Sequence, residues 1–297
     1  ATLIFEILSV LGPIFIITLI GYLLGRSRVE LHPETLSSTV ILIATPAMIF
    51  SALVSVNVSR DILLTMAVAA VLCVFVSGLI GFCILKLTGL PMRTFLPSLM
   101  LPNSGNIGLP LVFLAFGQDG LTLGVSYFFV IALLQHSVGF SIASGSYNFA
   151  YILRQPLLYA VASVLLVTSL SITVPEMVMS TAKILSGMMI PAMLILLGTS
   201  LATLTVSDLK PALIIAFGRL GAGLLSALIV IWLVSLDGIA AGAVFLMATM
   251  SPAIVNHVFA HRYRRHPEQV AGAVMVSTVL TFLCLPVLVW VALQMAS

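Results

Sequence analysis

The chain has 297 residues, of which 61% are hydrophobic and 7% are Asp, Glu, Lys or Arg, with a formal net charge of +3. Its mean hydropathy is +1.26, whereas a water-soluble domain carries about 25% charged residues, so a soluble globular class is excluded. No basic stripe is present and most of the basic residues sit in short polar turns, which excludes a nucleic-acid partner.

In chain order, the apolar runs predict an all-α integral membrane protein with ten spans. They lie at roughly 3–25, 35–56, 62–88, 93–117, 120–143, 155–173, 176–204, 210–235, 238–260 and 268–294. Span 1 lacks a basic leader, carries Glu6 and is too long for a signal peptide. Span 2 carries Pro46-Ala47-Met48, which recurs in span 7 as Pro191-Ala192-Met193, 145 residues on. Span 6 is short and rich in Ser and Thr. Cys73, Cys83 and Cys284 fall inside spans, at spacings that suit neither a disulfide framework nor a metal site. They read as small buried hydrophobes, and no cofactor or metal is expected.

Span 4 is interrupted by Pro102-Asn103-Ser104-Gly105-Asn106-Ile107-Gly108-Leu109-Pro110, with apolar residues on both sides. Two prolines, two glycines and two asparagines do not sustain an undisturbed helix. In lipid, irregular backbone survives only where it is buried in protein or lines a cavity. A span broken near the midplane is where secondary transporters form their substrate sites. Span 9 holds a second, subtler break at Thr249-Met250-Ser251-Pro252. The Leu246-Met247 before it matches Leu99-Met100 before the first break, 147 residues apart. The two nearly equal offsets predict two repeats of five spans, 1–143 and 155–297, joined by a short cytoplasmic linker at 144–154. An odd number of spans per repeat makes the second repeat inverted, with broken spans 4 and 9 crossing at the site.

With the N-terminus outside, Arg26, Arg28, Lys86, Arg93, Arg154, Lys210, Arg262, Arg264 and Arg265 fall in cytoplasmic loops, and Arg60 alone falls in the opposite ones. The positive-inside rule therefore places both termini outside.

The site candidates derive from the breaks. The Asn103 amide suits a carboxylate, or else ties off backbone groups that the break frees. Asn106 is open to the same two readings. Gly105 and Gly108 allow close backbone approach, and Pro110 and Pro252 fix the geometry. Ser251, Ile254 and Asn256 line the second break. Each half-helix after a break directs its positive end at the crossing. In span 5, Tyr127 could stack on an aromatic acid or pack in the core, as could Phe128 and Phe129. Gln135 in the same span is a polar contact for a substrate or a sodium ion. The in-span ionisable groups are His136, Lys183, Arg219 and His257. Lys183 is near enough to the outer end to snorkel there. Arg219 lies about 13 Å inward, where it either snorkels back or pairs within the bundle. His136 is a core histidine or a proton carrier. The acidic residues Glu6, Glu34, Asp61, Asp119, Glu176, Asp208, Asp237 and Glu268 fall at or near span ends, which argues against plain cation/proton exchange.

These residues carry a resemblance. Leu101 to Leu111 resembles the span-4 crossover of the auxin efflux carrier family. Pro252-Ala253-Ile254-Val255-Asn256-His257-Val258-Phe259-Ala260-His261-Arg262-Tyr263, with His266-Pro267, resembles the span-9 segment of its plant members. Leu134-Gln135 resembles a Leu-Gln step in span 5. The resemblance implies an elevator-type carrier that moves small organic anions, auxin-like or other carboxylates, in the efflux direction. Spans 1, 2, 6 and 7 would form a scaffold and homodimer interface, and spans 3–5 and 8–10 the moving transport domain. It also implies that Asn103 is the crossover asparagine. The short linker suits a bacterial member, in the inner (plasma) membrane, or a shortened chain. Plant members have a lysine where this chain has His261, which makes His261 either a pH-sensitive group in charge coupling or the start of a polar run.

A sodium-coupled organic anion symporter of the bile-acid type shares the ten-span plan and stays open as the alternative. An anion channel needs a continuous polar lining, whereas the polar residues here concentrate at two breaks. An enzyme is not expected, because no His-Glu-x-x-His, Gly-x-Ser-x-Gly or acidic metal cluster is present. The expected partners are thus a small organic anion, the bilayer and a second copy of the chain. Few formal cations near the breaks suit a monocarboxylate better than a dicarboxylate.

Overall fold

The computed structural model describes residues 2–29, 32–55, 60–147, 153–154, 156–170 and 172–297, without the side chains of 2–4, 6, 55 and 60. Residues 148–152 of the expected linker, and the Glu6 side chain, lie outside this description. Helices run in the order α1 (Thr2–Arg26), α2 (Pro33–Thr39), α3 (Thr45–Ser55), α4 (Arg60–Thr88), α5 (Met92–Met100), α6 (Leu109–Leu134) and α7 (Phe140–Ser144). They continue as α8 (Pro156–Ser169), α9 (Glu176–Gly187), α10 (Met189–Thr203), α11 (Leu209–Val234), α12 (Gly238–Thr249), α13 (Val255–Arg262) and α14 (Pro267–Ala296). Wider, π-type turns fill Val40–Ala44, Ser104–Gly108 and Gln135–Gly139.

Among the described residues, 7 stretches are long and apolar enough to cross a membrane. The expected spans that fall short are the fourth, the sixth and the ninth. The fourth and ninth are interrupted by the two breaks, and the sixth, α8, is only 14 residues long. Side chains such as Phe75, Trp232 and Leu283 stay exposed on the outside of the bundle, as a lipid-facing surface requires.

The fourth and fifth expected spans meet at Gly117, which takes φ 64° and ψ −147° inside α6. Only glycine accepts that conformation without strain. A Cβ on Gly124 would lie 2.7 Å from Val112 Cγ2, although 12 residues of straight helix span about 18 Å. The chain therefore doubles back at Gly117.

Packing sorts the helices into two groups. In one, α1 lies along α10, and α3 lies against α8 and α9. The α1–α10 contact is backbone-close: a Cβ on Gly21 would run into the Ile195 carbonyl, and one on Gly198 into that of Thr18. Small residues at such a seam let helices pack without side chains between them. In the other group, α11 packs on α4, α12 and α14, and α6 packs on α4 and α12. The Ser77 hydroxyl lies 3.0 Å from that of Ser226, joining α4 to α11. Where α3 and α9 face the Gly117 turn, a cavity of about 240 Å³ is lined by Met48, Ser51, Gln118, Lys183 and Ser186.

Candidate functional site

Both breaks are extended where helix would otherwise continue. Leu101, after α5, has φ −109° and ψ 108°, and Met250, after α12, has φ −65° and ψ 154°. The two extended pieces cross antiparallel at Pro102 and Pro252. Asn103 N–H donates to the Ser251 carbonyl at 2.7 Å, and Ala253 N–H donates to that of Leu101 at 3.2 Å. Both bonds flank the proline pair, so the prolines occupy the position of an antiparallel ladder whose own N–H groups point away from the partner. Proline gives up nothing there, because it has no N–H to place. The bonds pair residue 102 with residue 252 across the crossing.

Asn103 caps the π-type turn Ser104–Gly108. Its Oδ1 accepts from Asn106 N–H at 3.3 Å, and its backbone carbonyl accepts from the N–H groups of Ile107 and Gly108. With Oδ1 thus oriented, the amide Nδ2 is buried and has no hydrogen-bond partner. Asn106 is half-buried. The buried Ser104 hydroxyl is also without a partner. Gly105 faces the Phe128 ring and Met193 of α10, where a Cβ would meet Phe128 Cε2 at 2.9 Å. Gly108 faces Met247 of α12, with Sδ 2.7 Å from a Cβ placed there. Pro110 is buried in the first turn of α6.

The second break mirrors some of this. Asn256, in the first turn of α13, donates through Nδ2 to the Pro97 carbonyl of α5 at 3.2 Å, and its buried Oδ1 has no partner. Ser251 Oγ lies 3.1 Å from Thr278 Oγ1 of α14. Ile254 is half-buried against the apolar core. Gln135 starts the π-type turn whose Gly139 closes on the Leu101 side chain. It is buried, and its Nε2 has no partner.

Arg219 is 1% exposed. Its Nη1 donates to the Leu99 carbonyl at 2.8 Å, its Nε to that of Met250 at 3.0 Å, and its Nη2 to that of Ala248. One guanidinium thus holds the C-terminal ends of α5 and α12 together. The sequence shows the arginine and not this role, since its acceptors are main-chain atoms. The available signal is that a cation deep in an apolar span needs acceptors, and broken helices expose carbonyls.

Other candidates lie apart from the breaks. Tyr127 is fully buried beside Cys73 of α4, and its hydroxyl has no hydrogen-bond partner. His136 stands edge-on to Phe259 at 6.0 Å, in an aromatic group with Phe140 and Tyr263. His257 Nδ1 lies 3.1 Å from the Pro267 carbonyl, and His261 is exposed with its ring 6.4 Å from that of His257. Lys183 is exposed at the 240 Å³ cavity. Among the described residues, no group of three or more His, Cys, Asp or Glu is placed to hold a metal.

Two comparisons bear on identity. The family described as "Membrane transport protein" matches residues 7–149 and 146–290. An uncharacterized transporter of Methanocaldococcus jannaschii is 25% identical over 304 aligned positions, covering 95% of this chain and 97% of the relative. The chain is thus an integral membrane protein that belongs to the membrane transport protein family, that of the auxin efflux carriers.

Proposed function

We propose that the chain is a secondary carrier of small organic anions, binding one carboxylate where the two broken helices cross. The observation that carries this reading is a pair of buried amide donors without partners, Asn103 Nδ2 and Gln135 Nε2, on segments that both adjoin Leu101. A buried donor left unpaired costs about 1–3 kcal/mol, and an acceptor ligand removes that penalty. The half-helices that start at Ser104 and Val255 add their positive ends. Arg219, bonded to carbonyls at the C-terminal ends of α5 and α12, offsets the negative ends of those helices and leaves the positive ends to the anion.

In this reading the ten spans form two inverted repeats of five. The group containing α1, α3 and α8–α10 is the scaffold and homodimer face. The group containing α4–α7 and α11–α14 carries the site past it as an elevator, in the efflux direction. The polar cavity between α3, α9 and the Gly117 turn lies along that boundary. The test is binding of indole-3-acetate, malonate and acetate to the purified protein, read as saturable thermal stabilisation. At least one acid stabilises the wild type and leaves Asn103→Asp unchanged. Stabilisation of both proteins alike would place the acid elsewhere, and no stabilisation by any carboxylate would remove the anion assignment.

A further inference from the structure

The three acceptors of Arg219 are main-chain carbonyls at the C-terminal ends of α5 and α12. Each such end carries about half a negative charge from its helix dipole, so two ends make about one, and a single guanidinium balances it. Broken helices in transporters present this kind of carbonyl cluster to a coupling cation.

We propose that Arg219 is a tethered counter-cation. It permanently fills the carbonyl cluster that a coupling sodium ion would need, so the protein has no use for sodium at the crossing. Removing the guanidinium opens a site for a small monovalent cation. With the C-terminal ends neutralised, the positive ends of the two half-helices beyond the breaks face one negative charge, which matches a monoanion. That last step rests on the anion-carrier reading, whereas the cation assignment rests on Arg219 alone and its test needs no substrate.

The experiment is thermal unfolding of detergent-purified protein in choline, sodium or millimolar guanidinium chloride at equal ionic strength. Wild type melts at the same temperature in all three. Arg219→Ala melts lower in choline and regains several degrees, saturably, in sodium as well as in guanidinium. A merely structural arginine would give a loss that guanidinium, which refits the same hydrogen bonds, repairs and sodium does not. Wild type stabilised by sodium, or a folded Arg219→Ala indifferent to sodium, overturns the proposal. Should Arg219→Ala yield no folded protein, Arg219→Gln, which keeps one amide donor for a carbonyl, is read in its place by the same criteria. The wild-type arm needs no variant.

Discussion

Pro102 and Pro252 face each other across the crossing of the two broken helices, as the central pair of a two-bond antiparallel contact. Each proline terminates its helix and sits where an N–H would have no partner across the ladder. The residue that breaks the span is thus also the one that fits the crossing.

Replacing either proline by alanine adds a buried N–H that points away from the opposite strand. An unsatisfied buried donor costs about 1–3 kcal/mol, and the helix also becomes free to continue. Pro102→Ala and Pro252→Ala should each lower the unfolding temperature. Chemical denaturation in mixed micelles measures the loss.

Asn103 has two separable functions. Oδ1 caps the turn at Asn106, and Nδ2 is unpaired. Asn103→Asp keeps the cap acceptor and replaces the donor with negative charge. It should stay close to wild type in folding and lose carboxylate transport. Asn103→Ala should lose transport and also about 0.5–2 kcal/mol of stability, the usual worth of a cap. Parallel melting and flux measurements on the two variants separate the roles.

Asn256 donates to the Pro97 carbonyl. Asn256→Asp sets a carboxylate against that carbonyl in a buried position, so the two helix halves lose their link. The expected loss exceeds that of Asn256→Ala, which forfeits a bond of about 1 kcal/mol net. Equal melting temperatures for the two variants would contradict the contact.

Glycines of α1 and α10 differ by whether they face the seam. Gly21→Ala and Gly198→Ala push a methyl into backbone of the facing helix and should cost about 1–3 kcal/mol or more. Gly12→Ala meets nothing within 4 Å and should be neutral or stabilising by up to about 1 kcal/mol. Comparative melting of the three variants checks the seam.

The sequence is most legible where covalent chemistry limits the backbone. Prolines and glycines in apolar runs mark both breaks, and Gly117 lies at the expected boundary between spans 4 and 5. The roles of Arg219 and Asn256 are not legible, because their partners are carbonyls of residues 97, 99, 248 and 250, brought together by the crossing itself. Tyr127 shows a different limit. Its position along span 5 is readable, but the rotation that turns it toward Cys73 comes from packing against α4. The pairing of Pro102 with Pro252 likewise needs the hydrogen bonds of the crossing, since residue types mark each break and not their contact.

The most direct test of the crossing as an anion site is charge movement in proteoliposomes on a supported membrane. Wild type and Asn103→Asp are challenged with indole-3-acetate, malonate and acetate without a sodium gradient. Wild type should give a saturable current for at least one monocarboxylate, and Asn103→Asp none. Carboxylate currents of equal size in both proteins, or wild-type currents that arise only when sodium is supplied, would contradict the anion site.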